Sequence, residues 1–269
     1  MNAPQKRVAL VTGASEGIGR ALVATLVRRG DYDAIAITAR SRDRLDSLAD
    51  ELAAHGVSIL VLPADLTDEQ AGRDVVAQTL AAFGRLDALF NNAGATMWAP
   101  FREITDLSVF RRVMDINYFA VLNLTHAALP ALIESRGRLV GVSSVAGLTG
   151  VPTRSGYCAS KHALNGLYDS LRVELEGTGV SVTIVAPDFV VSEIHRRALT
   201  GDGSALSKSP MQESRIMTAE QCAERIATAA ARRQRLHITS LRGRAGRWLK
   251  LIAPGLIDRI AAKAISKGR

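Results

Sequence analysis

The chain has 269 residues and a mass of 28.7 kDa, with 47% hydrophobic and 22% charged residues. That balance excludes whole-chain disorder and leaves ample length for a buried core. Two cysteines, Cys158 and Cys222, cannot build a disulfide scaffold, and no Cys/His cluster has metal-site spacing, so no metal is expected.

Apolar runs of strand length alternate with helical periods from end to end. The predicted strands are 8–11, 34–38, 58–62, 88–90, 138–142 and 180–185, with a weaker seventh at 237–241. Between them lie helical stretches such as Leu45, Leu48 and Leu52, which repeat at i, i+3 and i+7. Strands apolar throughout and separated by helices imply a doubly wound parallel α/β sheet with helices on both faces. The long irregular stretch 188–217, with Gly201, Gly203 and Pro210, reads as a substrate loop. One catalytic domain is expected over 1–242, with 243–269 as its basic helical extension. Residues 1–7 lack the apolar core of a signal peptide. No stretch is read as reaching the roughly 18 uncharged apolar residues of a spanning helix. A reducing, cytoplasmic setting is therefore expected.

Thr12-Gly13-Ala14-Ser15-Glu16-Gly17-Ile18-Gly19 follows the first strand and opens the first helix. Glycines there let the backbone approach a pyrophosphate, and the helix N-terminus supplies free N–H groups. The spacing is G-x-x-x-G-x-G, so taken alone it reads equally as a glycine-rich turn. At the end of the second strand, where an NAD site would carry a carboxylate, stand Arg40 and Ser41. A guanidinium and a hydroxyl suit a ribose 2′-phosphate, hence NADP(H). The competing reading is a solvated arginine with Ser41 as helix N-cap. Tyr157 and Lys161, at i and i+4, share a helical face, so Lys161 is expected to lower the Tyr157 pKa towards working pH. Ser144 lies just past the fifth strand, within reach of a reacting oxygen.

Together with Asp65-Leu66, Asn91-Asn92-Ala93-Gly94, Asn117 and the thirteen-residue step from Ser144 to Tyr157, these motifs resemble the short-chain dehydrogenase/reductase family over nearly the whole chain. The resemblance implies a Rossmann-type fold and hydride transfer with a nicotinamide cofactor. It implies a cofactor site of Gly13, Ser15, Gly17, Ile18, Gly19, Arg40, Ser41, Asp65, Leu66, Asn91, Ala93, Gly94, Tyr157, Lys161, Pro187, Val190 and Ser192. In it Asp65 would hold the adenine, Ser192 the carboxamide and Lys161 the nicotinamide ribose. Asn117 would kink its helix and anchor a water next to Lys161, and Tyr157 would deliver the proton. Two departures stand out: Asp188 replaces a glycine after Pro187, and Glu16 replaces a basic residue frequent in NADP-preferring members.

The expected substrate is a hydrophobic secondary alcohol or its ketone. The motive is apolar residues of the substrate loop (Ile194, Leu199, Leu206, Met211) with Met97 and Trp98, and further substrate candidates are Phe189 and His195. His195 also reads as a solvated loop residue, Phe90 and Phe119 as core, and Cys158 as a packed side chain. A non-catalytic NADP(H)-binding regulator and an NAD-dependent member remain as alternatives. A sugar epimerase would need a longer substrate domain. A homodimer or homotetramer is expected.

The net charge is +8, and residues 241–269 carry eight basic side chains against Asp258 alone. On a helical wheel Arg244, Arg247 and Lys250 oppose Trp248, Leu249 and Ile252, and a second apolar stripe (Leu256, Ile257, Ile260, Ala261, Ala264, Ile265) follows Pro254-Gly255. Two short helices are expected over 243–267. They could cover a partner subunit or the pocket mouth, or make peripheral contact with an anionic membrane. Nucleic-acid binding has no supporting module.

Overall fold

A computed structural model describes residues 6–207 and 216–266, with side chains through 262. Met211, Pro210 and the side chains of Ala264 and Ile265 lie outside the described residues. Seven parallel strands form one sheet in the order β3-β2-β1-β4-β5-β6-β7. They are β1 Val8–Thr12, β2 Ala34–Ala39, β3 Ser58–Pro63, β4 Ala88–Asn91, β5 Arg138–Val142, β6 Ser181–Ala186 and β7 Leu236–Ile238. This is the Rossmann-type doubly wound sheet, and its order reverses between β1 and β4, the switch point where such sheets bind ligands.

Both faces are covered because the strands are apolar on both sides. Helices α1 (Gly17–Arg29), α2 (Arg42–Leu52) and α7 (Ala219–Ala231) cover one face through Leu22, Leu26, Leu45, Leu48 and Ile226. On the other lie α3 (Glu69–Phe83), α5 (Ala120–Glu134) and α6 (Ser155–Glu174), through Val75, Leu124, Leu132, Leu164 and Tyr168. A short helix α4 (Ser108–Met114) runs into α5 through a π-helical turn, Asp115–Phe119.

Three expectations need correction. The seventh strand ends at Ile238, because Ser240 leaves the sheet to cap the next helix, its Oγ accepting from the Gly243 N–H at 2.9 Å. Phe119 is exposed rather than core: it lies two positions past the inward-facing Asn117, across the π turn from it. Finally, the continuous run Ser108–Glu134 does have the length and mean hydropathy (1.4) of a spanning segment. Its apolarity has a use within the fold, since Val109, Val113, Val121, Leu124 and Leu132 are buried in the core.

The carboxy-terminal helices α8 (Leu241–Ile252) and α9 (Pro254–Ser266) lie beyond the sheet edge and pack on each other. The inner side of α8 is not the aromatic face of the wheel. A Cβ on Gly243 would come within 2.7 Å of Val145 and one on Gly246 within 3.3 Å of Ile257, whereas Trp248, Leu251 and Ile252 point outward.

Candidate active site

One continuous cavity of about 1940 Å³ runs along the carboxyl ends of the strands. Residues following six of the strands line it: Gly13, Arg40, Asp65, Ala93, Ser144 and Pro187. It exceeds the 300–1,000 Å³ typical of a small-molecule pocket, room enough for a dinucleotide and a substrate end to end.

At the switch point the Thr12 hydroxyl accepts from the backbone N–H groups of Asn92 and Ala93, both at 2.9 Å, and so locks the end of β1 to that of β4. Gly13 has φ of 67°, and a Cβ there would come within 2.9 Å of the Ala93 Cα. A Cβ on Gly19 would collide with the Gly13 carbonyl. The turn is therefore closed to side chains, leaving bare backbone and the α1 N-terminus at the cavity wall beside Ser15, Gly17 and Ile18. That cradle fits a pyrophosphate. Ser192 stands opposite, its Cβ 3.3 Å from where a Gly17 Cβ would lie.

Arg40 and Ser41 line the cavity past β2. Ser41 occupies the N-cap position of α2 but makes no side-chain capping bond, so its hydroxyl is not committed to the helix. Arg40 has no carboxylate in ion-pair range among the described residues. Arg44, which the sequence reading missed, stands at the same wall and pairs with Glu16. Glu16 also accepts from Arg197 of the substrate loop at 2.6 Å, so its charge is answered twice. Past β3, burial works to raise the Asp65 pKa, but the Thr67 N–H and hydroxyl and the Arg40 charge outweigh it and hold the carboxyl below its ordinary value. Leu66 lies beside it at the wall.

Asn91 is not at the wall. Its buried Nδ2 donates to the Tyr168 hydroxyl at 2.8 Å and to Thr125 at 3.0 Å, bracing the sheet against α6 and α5, and Asn92 lines the cavity in its place. The π turn carries Asn117 into the interior, where its side chain accepts from the Ala95 N–H and donates to the Ala95 carbonyl and Ser160, each at 2.9 Å. This clamp fixes the turn that follows β4 around Gly94 and ties it to α6.

At the reactive end the Ser144 hydroxyl caps a short turn, accepting from the Ala146 N–H at 3.1 Å and donating to the Pro187 carbonyl at 3.4 Å, and it lies beside the Tyr157 phenol. Lys161 is buried, donates to the Val142 carbonyl at 2.9 Å, and sits 5.8 Å from the centre of the Tyr157 ring. Burial pushes the Lys161 pKa down to about 8. Burial pushes Tyr157 up, against the pull of the Arg154 charge and the Ser144 hydroxyl. The expected lowering by Lys161 is thus not what the geometry gives. Desolvation dominates, and the cation opposing it is Arg154, three residues back on the same helical face.

The substrate end brings together Trp98, Phe189, His195 and Arg154. His195 is buried rather than solvated; its Nδ1 lies 3.1 Å from Arg154 Nη2, and burial followed by the Arg154 charge lowers its pKa to about 4. Met97 does not line the cavity. It lies beneath it, packed with Val109, Val113 and Leu199, its sulfur accepting from the Gly156 N–H. Cys158 is a packed side chain, as expected, and His162 is exposed. Asp188 takes no positive φ despite replacing a glycine. Its carboxylate accepts from Ser240 at 2.7 Å and pairs with Arg242 at 2.8 Å, tying the start of the substrate loop to α8. Gly246, Arg247, Ile257 and Ile260 of the helical pair reach the cavity mouth.

A parallel sheet opened at its switch point by a glycine turn, with a buried phenol and lysine across the cavity, is the framework of a nucleotide-dependent dehydrogenase. Comparison with known proteins agrees: a family model described as short chain dehydrogenase matches residues 7–202, and the chain belongs to that family of oxidoreductases. A "Dehydrogenase/reductase SDR family protein 7-like" of Dictyostelium discoideum is 33% identical, over 97% of this chain and 83% of its own length. The "11-beta-hydroxysteroid dehydrogenase 1A" of Arabidopsis thaliana is 35% identical over 85% of this chain and 67% of its own. Among solved structures, a short-chain dehydrogenase from Sphingobium yanoikuyae in complex with NADPH is similar at a TM-score of 0.78 and 29% identity, covering 94% of this chain and 95% of that one. One from Burkholderia phymatum in complex with NAD shares the fold at a TM-score of 0.82 and 24% identity, covering 95% and 96%.

Proposed function

We propose that the protein is an NADP(H)-dependent carbonyl reductase and alcohol dehydrogenase, interconverting a hydrophobic secondary alcohol and its ketone. The observation that carries this is the meeting of Ser144, Tyr157 and Lys161 in the cavity that opens at the bare α1 N-terminus. When bound, the nicotinamide supplies the hydride to the carbonyl carbon or takes it from the alcohol. Tyr157, kept protonated at neutral pH by its burial, donates to the substrate oxygen in reduction, and the Ser144 hydroxyl holds that oxygen. Lys161, with its pKa near 8, is matched to restoring the proton at working pH and to holding a ribose hydroxyl. Asn117 positions the turn that carries Gly94. The intact proton donor argues against a regulator without turnover. Trp98, Phe189, Ile194 and Leu199 favour an apolar substrate body, in keeping with the steroid dehydrogenase name of one relative.

NADP(H) over NAD(H) rests on Arg40 and Ser41, with Arg44 at the same wall, and on Glu16, which also lines the cavity, having its charge answered by two arginines. A charge-assisted contact contributes about 1.5–3 kcal/mol. Arg40→Asp should therefore weaken NADPH binding at least roughly tenfold in a fluorescence titration while leaving NADH unharmed. Wild type binding both equally would refute the phosphate site.

The reading includes a cytoplasmic, homo-oligomeric enzyme. It also assigns α8 and α9 a second face: their inner side, with Arg247 at the cavity and Lys250 donating to the Leu148 carbonyl at 3.1 Å, closes the cavity mouth, and the outer side presents Trp248, Leu251 and Ile252 with the exposed Arg244 and Arg259. Apolar side chains flanked by cations suit peripheral contact with an anionic membrane surface.

A further inference from the structure

Arg154 is an unusual residue to find where it stands. It is 4% exposed, yet no carboxylate lies within ion-pair distance of it among the described residues. Its guanidinium carbon lies 4.6 Å from the centre of the Trp98 ring, 5.3 Å from that of Tyr157 and 5.5 Å from that of Phe189. Those rings stabilise the charge through their π faces but accept little from the in-plane N–H groups. Of these donors, one on Nη2 meets His195 Nδ1 at 3.1 Å. Nε is buried with no acceptor, and Nη1 has none among the described residues. The neighbouring carboxylates are committed elsewhere, Asp188 to Ser240 and Arg242, and Glu193 to Arg196. His195 is held neutral, so it answers no charge. An isolated buried cation is expensive, and a protein keeps one where something else brings the counter-charge.

We propose that Arg154 is the anion-recognising residue of the substrate pocket and that the preferred substrates carry a carboxylate beside the reacting carbonyl, as apolar 2-oxo or 3-oxo acids and their hydroxy acids do. The carboxylate supplies two acceptors in the plane of the guanidinium fork, which the aromatic rings cannot. Because Arg154 and Tyr157 share a helical face, an anion held by the first stands close to the oxygen protonated by the second. The rings of Trp98 and Phe189 take the apolar remainder. This deepens the carbonyl-reductase reading and rests on it for the reaction but not for the binding.

Binding is therefore the first test. Benzoate and its neutral isostere benzamide are titrated by calorimetry into wild type, Arg154→Met and Arg154→Lys, with circular dichroism and NADPH affinity as checks of folding. Wild type should bind benzoate at least roughly tenfold tighter than benzamide. Arg154→Met should abolish that preference, and Arg154→Lys should retain part of it. The proposal is overturned if wild type does not prefer benzoate, or if a folded Arg154→Met keeps the preference. Turnover comes second: NADPH oxidation with benzoylformate should exceed that with its methyl ester, and the order should be lost in Arg154→Met. Arg154-dependent benzoate binding without turnover of any carbonyl would support the anion site and sink the reductase reading, so the two failures are distinct.

Discussion

His195 and Arg154 show how much a single contact changes at the residue scale. The Nδ1 of His195 must stay unprotonated to face Arg154, and its folded pKa of about 4 lies below the ordinary 6.5. Between those values the unfolded chain binds the proton that the folded one refuses, so this group's contribution to stability is present above pH 6.5 and is lost as pH falls through 4. His195→Asn keeps an acceptor and removes the titration. Its unfolding free energy, measured by urea denaturation, should fall less steeply than that of wild type between pH 6.5 and 4; parallel slopes would contradict the contact. Much of the cavity wall was legible as residue types at fixed spacing: Gly13, Gly17, Gly19, Arg40, Asp65 and Ala93 all line it. Arg154 and Arg44 were not, because an arginine at a helix start reads as solvated until the fold buries it or sets it at a cavity. Asn91 and Met97 carry the converse lesson, since a side chain next to a motif can support the wall from behind.

At the scale of elements, the loop after β6 and the start of α8 form one unit through Asp188. Its carboxylate joins Ser240 and Arg242 across 52 and 54 residues of chain. Asp188→Ala removes both contacts and leaves the Ser240 cap of α8 in place. The variant should lose about 1–3 kcal/mol of stability by urea denaturation and raise KM for the carbonyl substrate, with NADPH affinity nearly intact. Unchanged stability and KM would show that the tie does not hold the loop. The departure at Asp188 was visible in the sequence; its partner was not, because pairing between residues so far apart depends on where the sheet ends. The strands and main helices followed from apolar runs and helical periods. The packing side of α8 did not, because Gly243 and Gly246 leave no mark on a hydropathy wheel. The π turn likewise gave no periodic signal, and the kink at Asn117 came from family resemblance.

Across the whole molecule, strand order sets where chemistry can occur: β1 and β4 part at the switch point, and the cavity follows the carboxyl edge from Arg40 to the α8–α9 pair. The outer face of that pair gives a salt-dependent expectation. The protein should sediment with phosphatidylserine vesicles at low ionic strength and be released as salt rises, because screening shortens electrostatic reach to roughly 8 Å at physiological ionic strength. Failure to bind at low salt would remove the membrane contact and leave the helices as a pocket cover. The central claim, that this cavity transfers hydride between NADPH and a carbonyl carbon with Tyr157 as proton donor, is tested most directly by isotope transfer. A panel of apolar ketones and oxo acids is incubated with NADPH deuterated at the transferring position, and the alcohol products are weighed by mass spectrometry. The account predicts one deuterium per alcohol formed by wild type, and at least ~10²-fold slower labelling by a Tyr157→Phe variant that still binds NADPH. Unlabelled alcohol, or labelling at the wild-type rate by Tyr157→Phe, would contradict it.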